Sequence, residues 1–338
     1  MKRLFLSILA ACLLLSGCHV KQEQKKYSAT YLTLFDTVTT VVGFAESEET
    51  FTFQAQKIHD DLLVYHQLFD IYNDYPGINN LKTINDNAGI APVKVDEKII
   101  LLLKGCKSYY ELTEGKVNVA MGSVLLLWHE ARSDGINDPA NAYLPDAEAL
   151  AEAAKHTDPG NIIIDEEAST VYLADPQMRL DVGAIAKGWA AEEVAEAAPE
   201  GLLISVGGNV CATGPKDKSG TPWVIGIENP EGGDYLHTIY VSSGSVVTSG
   251  DYQRAYAVDG KVYHHIIDPV TLFPSAYWRS VSVVSKDSAL ADALSTALFL
   301  LPLEEGKALL KKAGAEAMWV DAYGNICYSE NFKAMIRT

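Results

Sequence analysis

A short glycine-containing segment, residues 180–188 (LDVGAIAKG), places the strongest constraint on how this chain can fold. It follows residues 170–173 (TVYL), which have strand composition, and it precedes an alanine- and glutamate-rich run typical of helices. The pattern predicts that residues 181–183 lie where extended chain turns into the start of a helix. Such a start carries unpaired N–H groups and partial positive charge, so it can hold a phosphate. An ordinary strand–turn–helix unit with glycines for close packing fits the same pattern.

Length and charge limit the kinds of partner this chain can have. It has 338 residues, enough for one large domain or two medium ones, and its hydrophobic content of 48% is typical of a globular protein. The formal net charge is −17, and no basic run compensates for it. This charge opposes binding to nucleic-acid backbones and to anionic membrane surfaces.

The N-terminus has the pattern of a bacterial lipoprotein signal. Lys2 and Arg3 supply the positive end, and residues 4–15 form an apolar run too short to span a bilayer. Residues 15–18 (LSGC) resemble a lipobox, which implies cleavage before Cys18 and lipidation of its thiol. The acyl chains would attach the mature protein to a membrane, on the extracytoplasmic side. A plain secretory signal with an incidental cysteine is the alternative.

These features divide the chain into three parts. We predict a lipoprotein signal peptide over residues 1–17, a flexible polar tether over residues 18–28 and one globular domain over residues 29–338. The mature domain then contains Cys106, Cys211 and Cys327, with no CxxC motif. A disulfide framework and a cysteine-bound zinc site are therefore not expected.

The order of strand and helix patterns predicts the fold class. Apolar residues recur at helical spacing over residues 48–68, 97–112, 144–155, 288–300 and 303–312. Strand-like runs cover residues 29–44, 161–165, 170–174, 201–206, 223–227, 245–248, 252–257, 262–267 and 280–285. Residues 258–260 (VDG), between two of these runs, predict a hairpin turn. Residues 131–142 are polar and are predicted to form a surface loop. Because strands and helices do not alternate regularly, we predict an α+β fold with mostly antiparallel sheets and flanking helices.

Three sets of side chains have the chemistry of a functional site. Asp292 and Thr296 lie four residues apart, on one face of a predicted helix, and offer the hard oxygen ligands that Mg²⁺ prefers. His265 is close to Asp268 and could carry a proton. Tyr72, in a long loop, could stack on a planar ligand. Each residue alone is more simply read as an ordinary surface or packing residue.

Taken together, four segments in this order resemble the signature blocks of the ApbE family, the Mg²⁺-dependent FAD:protein FMN transferases. They are residues 180–188 (LDVGAIAKG), 248–252 (TSGDY), 265–271 (HIIDPVT) and 291–296 (ADALST). Residues 35–37 (FDT) and 206–208 (VGG) also fit. The resemblance implies an ApbE-like fold with FAD bound in a cleft. It implies that FAD is cleaved at its pyrophosphate, that FMN passes to a threonine of a flavoprotein through a phosphoester bond, and that AMP leaves.

The resemblance also implies roles for single residues. Residues implied to contact FAD are Phe35, Tyr72, Lys116, Val117, Asn118, Asp181, Lys187 and Ile266. The carbonyl of Ala184 and the side chains of Asp292 and Thr296 are implied to hold Mg²⁺, with Ser295 as an additional ligand. His265 and Asp292 are the predicted catalytic residues; His265 would either orient a phosphate or move a proton.

Two positions depart from the family pattern. Leu272 occupies a place where glycine is usual, which puts the local turn in doubt, and Asn118 stands where aspartate is frequent.

The implied partner is an acceptor flavoprotein, expected to be a subunit of a membrane redox complex. Two alternatives share the same residues: an FAD pyrophosphatase that releases FMN and AMP, and a flavin-binding lipoprotein without catalysis.

Overall fold

A large antiparallel sheet organises the fold in the computed structural model, which describes residues 24–337. Its eight strands run in the order β1-β2-β6-β7-β10-β13-β14-β15, and every neighbouring pair is antiparallel. The strands of this sheet are β1 (Lys25–Leu34), β2 (Thr37–Ala45), β6 (Leu202–Val206), β7 (Asn209–Ala212), β10 (Gly244–Gly250), β13 (Ser280–Ser285), β14 (Glu316–Val320) and β15 (Ile326–Tyr328).

Three smaller antiparallel sheets complete the strand inventory of the described range. One joins β3 (Val93–Lys94), β5 (Thr170–Leu173) and β4 (Ile162–Asp165), a second pairs β8 (Trp223–Ile227) with β9 (His237–Val241), and a third pairs β11 (Tyr256–Val258) with β12 (Lys261–Tyr263). The α+β prediction with mostly antiparallel sheets is therefore confirmed.

Three of the α-helices in the described range cover one face of the large sheet. The α-helices of this range are α1 (Glu48–Phe69), α2 (Leu81–Asp86), α3 (Glu97–Leu112), α4 (Gly122–Asn137), α5 (Ala147–Ala153), α6 (Ala186–Ala197), α7 (Ser288–Phe299) and α8 (Leu303–Ala313). Helix α1 packs on β1 and β2, α6 on β6 and β7, and α7 on β10 and β13. Successive strand residues face opposite ways, so Val247 joins the core beneath the helices, whereas Val246 joins a second core beneath β8 and β9. No helix within residues 24–337 is long and apolar enough to cross a membrane.

The first strand corrects the predicted tether. Strand β1 begins at Lys25, and its register pairs Lys25 with Ala45 and Ser28 with Val42. Residues 25–28 are thus part of the large sheet, because an edge strand with one exposed face can carry polar residues that read as a tether. The predicted signal peptide, the predicted lipidation site at Cys18 and residues 18–23 of the predicted tether lie outside the described residues.

Helix α4 corrects the predicted surface loop at residues 131–142. The helix continues to Asn137, and its buried face comprises Val124, Trp128, Ala131 and Gly135. The polar residues of this stretch form the opposite face, which hides the helical spacing. The continuation matters because it carries Arg132 and His129 to the cleft described below.

The three cysteines of the described range are free. Cys106 and Cys211 are buried, and Cys327 is half-buried. Burial raises the pKa of the Cys211 thiol to about 11, so this thiol stays protonated at neutral pH.

Candidate functional site

One cleft of about 320 Å³ brings together all the residues predicted to bind FAD, to hold the metal or to catalyse, except Ser295. The turn between β1 and β2, the loop after α1, the loop before α4, the start of α6 and one face of α7 line it. The predicted residues that it brings together are Phe35, Tyr72, Lys116, Val117, Asn118, Asp181, Ala184, Lys187, His265, Ile266, Asp292 and Thr296. Ser295 does not line the cleft: its hydroxyl group bonds to Ser249 Oγ at 2.7 Å and to the Asp292 carbonyl at 2.9 Å.

The Asp292 carboxylate lies against the start of helix α6. Its Oδ2 accepts a hydrogen bond from the Gly188 N–H at 2.8 Å and is 3.8 Å from Lys187 Nζ. Only 4% of Asp292 is exposed. Burial raises the pKa of this carboxyl group, while Lys187, the Gly188 N–H and the Asn209 side chain act in the opposite direction. Asp292 is thus a carboxylate held in a dry site, where a further cation would stabilise its charge.

The start of α6 differs from the predicted phosphate cradle. The helix begins at Ala186, three residues beyond Gly183, and the N–H groups of Ile185 and Ala186 both bond to the Val182 carbonyl. Because Gly188 donates to Asp292, it does not donate to the carbonyl four residues earlier, that of Ala184. No residue between 24 and 337 donates to that carbonyl, which therefore remains available as an oxygen ligand.

The donor set at this point fits a hard divalent cation. It would comprise the Asp292 carboxylate, the Thr296 hydroxyl one helical turn away and the Ala184 carbonyl, which are the oxygen ligands that suit Mg²⁺. In the part of the chain that the structure describes, no group of three or more His, Cys, Asp or Glu side chains could hold a metal. A metal here would need oxygens from a bound ligand to complete its shell, as Mg²⁺ at nucleotide phosphates usually does.

Gly188 allows helices α6 and α7 to approach each other. A Cβ atom at this position would lie 2.4 Å from the Ser288 carbonyl oxygen and 2.5 Å from Asp292 Cβ. We expect Gly188→Ala to lower the free energy of unfolding by about 1–3 kcal/mol and to weaken activity, because the two helices must separate. Urea unfolding measures the change. Glu196→Ala, at an exposed position of the same helix, is the control and should shift stability by at most about 0.5 kcal/mol. Equal stability of the two variants would contradict this account.

An ion pair fixes the loop that carries Lys116. Lys116 Nζ lies 2.9 Å from Asp268 Oδ2, and Asp268 Oδ1 accepts the Val270 N–H at 2.7 Å. Burial disfavours the charged carboxyl group, but the bond from Lys116 and the backbone N–H bonds outweigh it, so the pKa of Asp268 is lowered. Lys116 therefore lines the cleft as a partly neutralised cation.

The chain forms the turn at Leu272 although leucine stands where glycine is usual in the family. Leu272 adopts a left-handed φ of 63°, a region that costs a non-glycine residue about 1–2 kcal/mol. The Trp128 indole N–H donates to the Leu272 carbonyl at 2.9 Å, and the Leu272 side chain packs in the cluster around Trp128. Packing and this bond hold the turn.

At Asn118, the side-chain amide bonds to the Thr157 carbonyl and to the Ala120 N–H, so its contribution to the cleft is neutral.

His265 is held as a neutral imidazole. Its Nδ1 lies 3.2 Å from the Gln253 carbonyl oxygen, which can only accept, so Nδ1 carries the proton and Nε2 has a free lone pair. Burial and the nearby Arg254 lower the pKa of His265 to about 3. The ring can therefore accept a proton at neutral pH but cannot supply one.

Sequence reasoning missed a cationic part of the cleft formed by Arg132 and Arg254. Both side chains line the cavity, and neither forms an ion pair with a residue in the range 24–337. Arg132 donates to His129 Nδ1 at 2.9 Å, and the His129 ring stacks on Tyr72 with a centroid distance of 5.1 Å. Burial and the second guanidinium lower the pKa of Arg132. Arg254 lies two residues after the TSGDY segment, and this position could have indicated a role in the site. Arg132 was missed because the sequence predicted a surface loop at residues 131–142.

The antiparallel fold and this cleft, with oxygen ligands beside several cations, define a protein that handles anionic, phosphate-containing ligands. The chain belongs to the ApbE family: the family model matches residues 35–319. A Treponema pallidum (strain Nichols) protein named FAD:protein FMN transferase is 36% identical over 260 residues, 71% of this chain and 70% of its own length. A protein of the same name from Klebsiella pneumoniae (strain 342) is 33% identical over 75% of this chain and 80% of its own length.

Solved structures give the same result for the fold. The crystal structure of the ApbE protein from Thermotoga maritima is similar with a TM-score of 0.81 and 33% identity, over 93% of this chain and 100% of that one. The family resemblance, the ApbE-like fold and the flavin-transferase class are confirmed. The Mg²⁺ dependence, the target and the roles of individual residues stay predictions.

Proposed function

We propose that this chain is a Mg²⁺-dependent transferase that cleaves FAD and attaches FMN to a threonine hydroxyl of a flavoprotein, with AMP as the leaving group. The observation that carries the proposal is the convergence of two unlike surfaces in one cleft. Asp292, Thr296 and Lys187 form a site suited to a metal and a diphosphate, while Phe35 and Tyr72 offer aromatic rings to a planar group. A substrate with both parts is a flavin dinucleotide.

The residues of the cleft suit a phosphoryl transfer. A bound Mg²⁺ would neutralise the diphosphate and stabilise the leaving phosphate of AMP. Lys187 adds a point charge next to Asp292, and the unpaired guanidinium of Arg254 adds another near His265. The threonine oxygen bonds to the phosphorus of FMN, the bond from that phosphorus to the bridging oxygen breaks, and AMP leaves with the electron pair. His265 Nε2 accepts the proton of the hydroxyl group.

The test uses the protein, FAD, Mg²⁺ and a flavoprotein subunit that faces the same compartment. We expect the subunit to gain the mass of one FMN, located on a threonine, with one AMP released for each FMN attached. Chelation of Mg²⁺ should stop both products. A subunit that gains no mass while AMP is released would defeat the transferase proposal.

Hydrolysis of FAD is the second candidate, because a neutral His265 could take a proton from water as well as from threonine. It predicts free FMN and AMP without an acceptor, and no covalently bound flavin. Binding of FAD without release of AMP would instead indicate a non-catalytic flavin-binding protein.

The N-terminus supports a membrane-attached form of this enzyme. If Cys18 is lipidated, residues 18–24 can span about 25 Å at most before β1 begins at Lys25, so the start of the domain stays close to the membrane. Such a position would suit an acceptor subunit of a membrane redox complex. We expect Cys18→Ser to move the protein from the membrane fraction to the soluble fraction, as measured by fractionation. A variant that stays in the membrane fraction would contradict the anchor.

A further inference from the structure

His66 is a residue of the cleft wall whose ring contacts that of Phe35. It belongs to the last turn of α1 and lines the cavity together with Phe35 and Tyr72. Phe35 occupies the turn between β1 and β2 with a left-handed φ of 53°, and the next residue, Asp36, has a φ of 52°. A bulky residue in this conformation is strained, so a specific contact must hold it.

The contact to Phe35 fixes the tautomer of His66. The Phe35 N–H donates to His66 Nδ1 at 3.2 Å, and the two rings meet edge to face with centroids 5.5 Å apart. Because a backbone N–H can only donate, Nδ1 is unprotonated, and Nε2 carries the proton of the neutral ring. His66 Nε2 lies 3.3 Å from Tyr75 Oη and therefore donates to it.

The hydrogen bonds continue from Tyr75 to the backbone of Tyr72. Tyr75 Oη donates to Asp70 Oδ2 at 2.7 Å, and Asp70 Oδ1 accepts the Tyr72 N–H at 2.6 Å. Burial opposes ionisation of Asp70, but bonds from Asn73, Tyr72 and Tyr75 outweigh it and lower the pKa of this carboxyl group. Burial and the bond to Asp70 raise the pKa of Tyr75, so its hydroxyl group stays protonated and donates.

We propose that His66 is a positioning residue that sets the distance between Phe35 and Tyr72 and so shapes the subsite for the planar ring system of the flavin. Through Tyr75 and Asp70 it connects the turn that carries Phe35 to the loop that carries Tyr72. The Tyr72 ring stacks on His129, yet half of Tyr72 is exposed and open to a ligand. This inference rests on the proposed binding of FAD. His66 forms no described hydrogen bond with the proposed metal ligands or with His265.

Three substitutions of His66 separate its two hydrogen bonds. His66→Asn places an amide oxygen near the position of Nδ1, so it can still accept from Phe35 but cannot reach Tyr75. His66→Gln places an amide near the position of Nε2, so it keeps the bond to Tyr75 but loses Phe35. His66→Leu loses both. His59→Leu, on the same helix but outside the cleft, is the control.

Binding of riboflavin, and of AMP with Mg²⁺, provides the measurement. We expect His66→Leu, which loses both bonds, to weaken riboflavin binding about tenfold. His66→Gln and His66→Asn each break the connection between Phe35 and Tyr72 at one bond, so each should weaken riboflavin binding by about three- to tenfold. AMP binding should not change in any variant. In transfer assays the KM for FAD should rise while kcat stays within about threefold.

Several results would overturn the proposal. Riboflavin affinity within twofold of the unaltered protein in His66→Leu would do so, as would unaltered affinity in both His66→Asn and His66→Gln, or equal losses of AMP binding. Absence of riboflavin binding to the unaltered protein would also overturn it. If the protein binds riboflavin but transfers no FMN, only the proposed transfer fails, because the binding measurements still decide the role of His66.

Discussion

Replacing Asp292 with asparagine is expected to lower FMN transfer in Mg²⁺ by about a thousandfold while the fold stays intact. The amide oxygen can still accept the Gly188 N–H, so the packing of α6 on α7 is kept. The negative charge that would hold the metal is lost, and a charge-stabilising group of this kind is worth about 10²–10³ in rate. Transfer assays at increasing Mg²⁺ concentration, with circular dichroism as a check on the fold, provide the measurement. Asp292→Ala should lose activity in the same way.

The stability of the Asp292→Asn variant also tests whether Asp292 is a buried, charged carboxylate. Because burial raises the pKa of Asp292 in the folded state, the charged carboxylate opposes folding at neutral pH, and this penalty disappears as pH falls through the raised pKa. The neutral amide should therefore leave the free energy of unfolding unchanged or increase it. Asp287→Asn is the control: its side chain caps the same helix outside the cleft, and an asparagine caps equally well. Normal transfer by Asp292→Asn, or an equal loss in Asp287→Asn, would refute the metal assignment.

Local patterns in the sequence predicted the parts of this site that local structure determines. Helical spacing alone places Asp292 and Thr296 on one face of α7, and both line the cleft as that spacing requires. The hairpin at residues 258–260 was likewise visible, because Asp259 and Gly260 take the left-handed φ values that such turns need. The family resemblance then indicated which segments, distant in sequence, come together in the cleft. The spacing of residues within one segment does not contain this information.

What the sequence did not reveal depends on tertiary packing. Arg132 reaches the cleft only because α4 continues through a polar stretch whose buried face is narrow. His66 lies 31 positions from its partner Phe35, and nothing in either segment signals that a helix end and a hairpin turn meet. Lys25 belongs to β1 through its pairing with β2, although its own side chain is exposed. Each of these features follows from contacts between distant segments.

Replacing His265 with asparagine, whose amide takes the place of Nδ1, is expected to lower kcat by about a hundredfold to ten-thousandfold, the usual contribution of a general base. The KM for FAD should change by less than about threefold, because the amide can still donate to the Gln253 carbonyl but cannot take up a proton. Single-turnover transfer from FAD to the acceptor measures the chemical step. A histidine that only orients a phosphate would instead show a rise in KM with a small change in kcat.

The pH dependence of transfer also distinguishes a proton acceptor from a residue that only orients a phosphate, because burial and, after it, the charge of Arg254 lower the pKa of His265 to about 3. The free imidazole value is about 6.5, so the unfolded chain binds this proton more strongly, and stability falls as pH drops from about 6.5 toward 3. Between pH 8 and 5 the folded ring stays neutral, and kcat/KM should show no acidic limb from this group. Arg254→Gln removes the repelling charge, so the pKa of His265 rises and the acidic limb should move to higher pH. If the limb is the same in Arg254→Gln and in the unaltered protein, His265 does not accept the proton, since removal of this charge should raise its pKa.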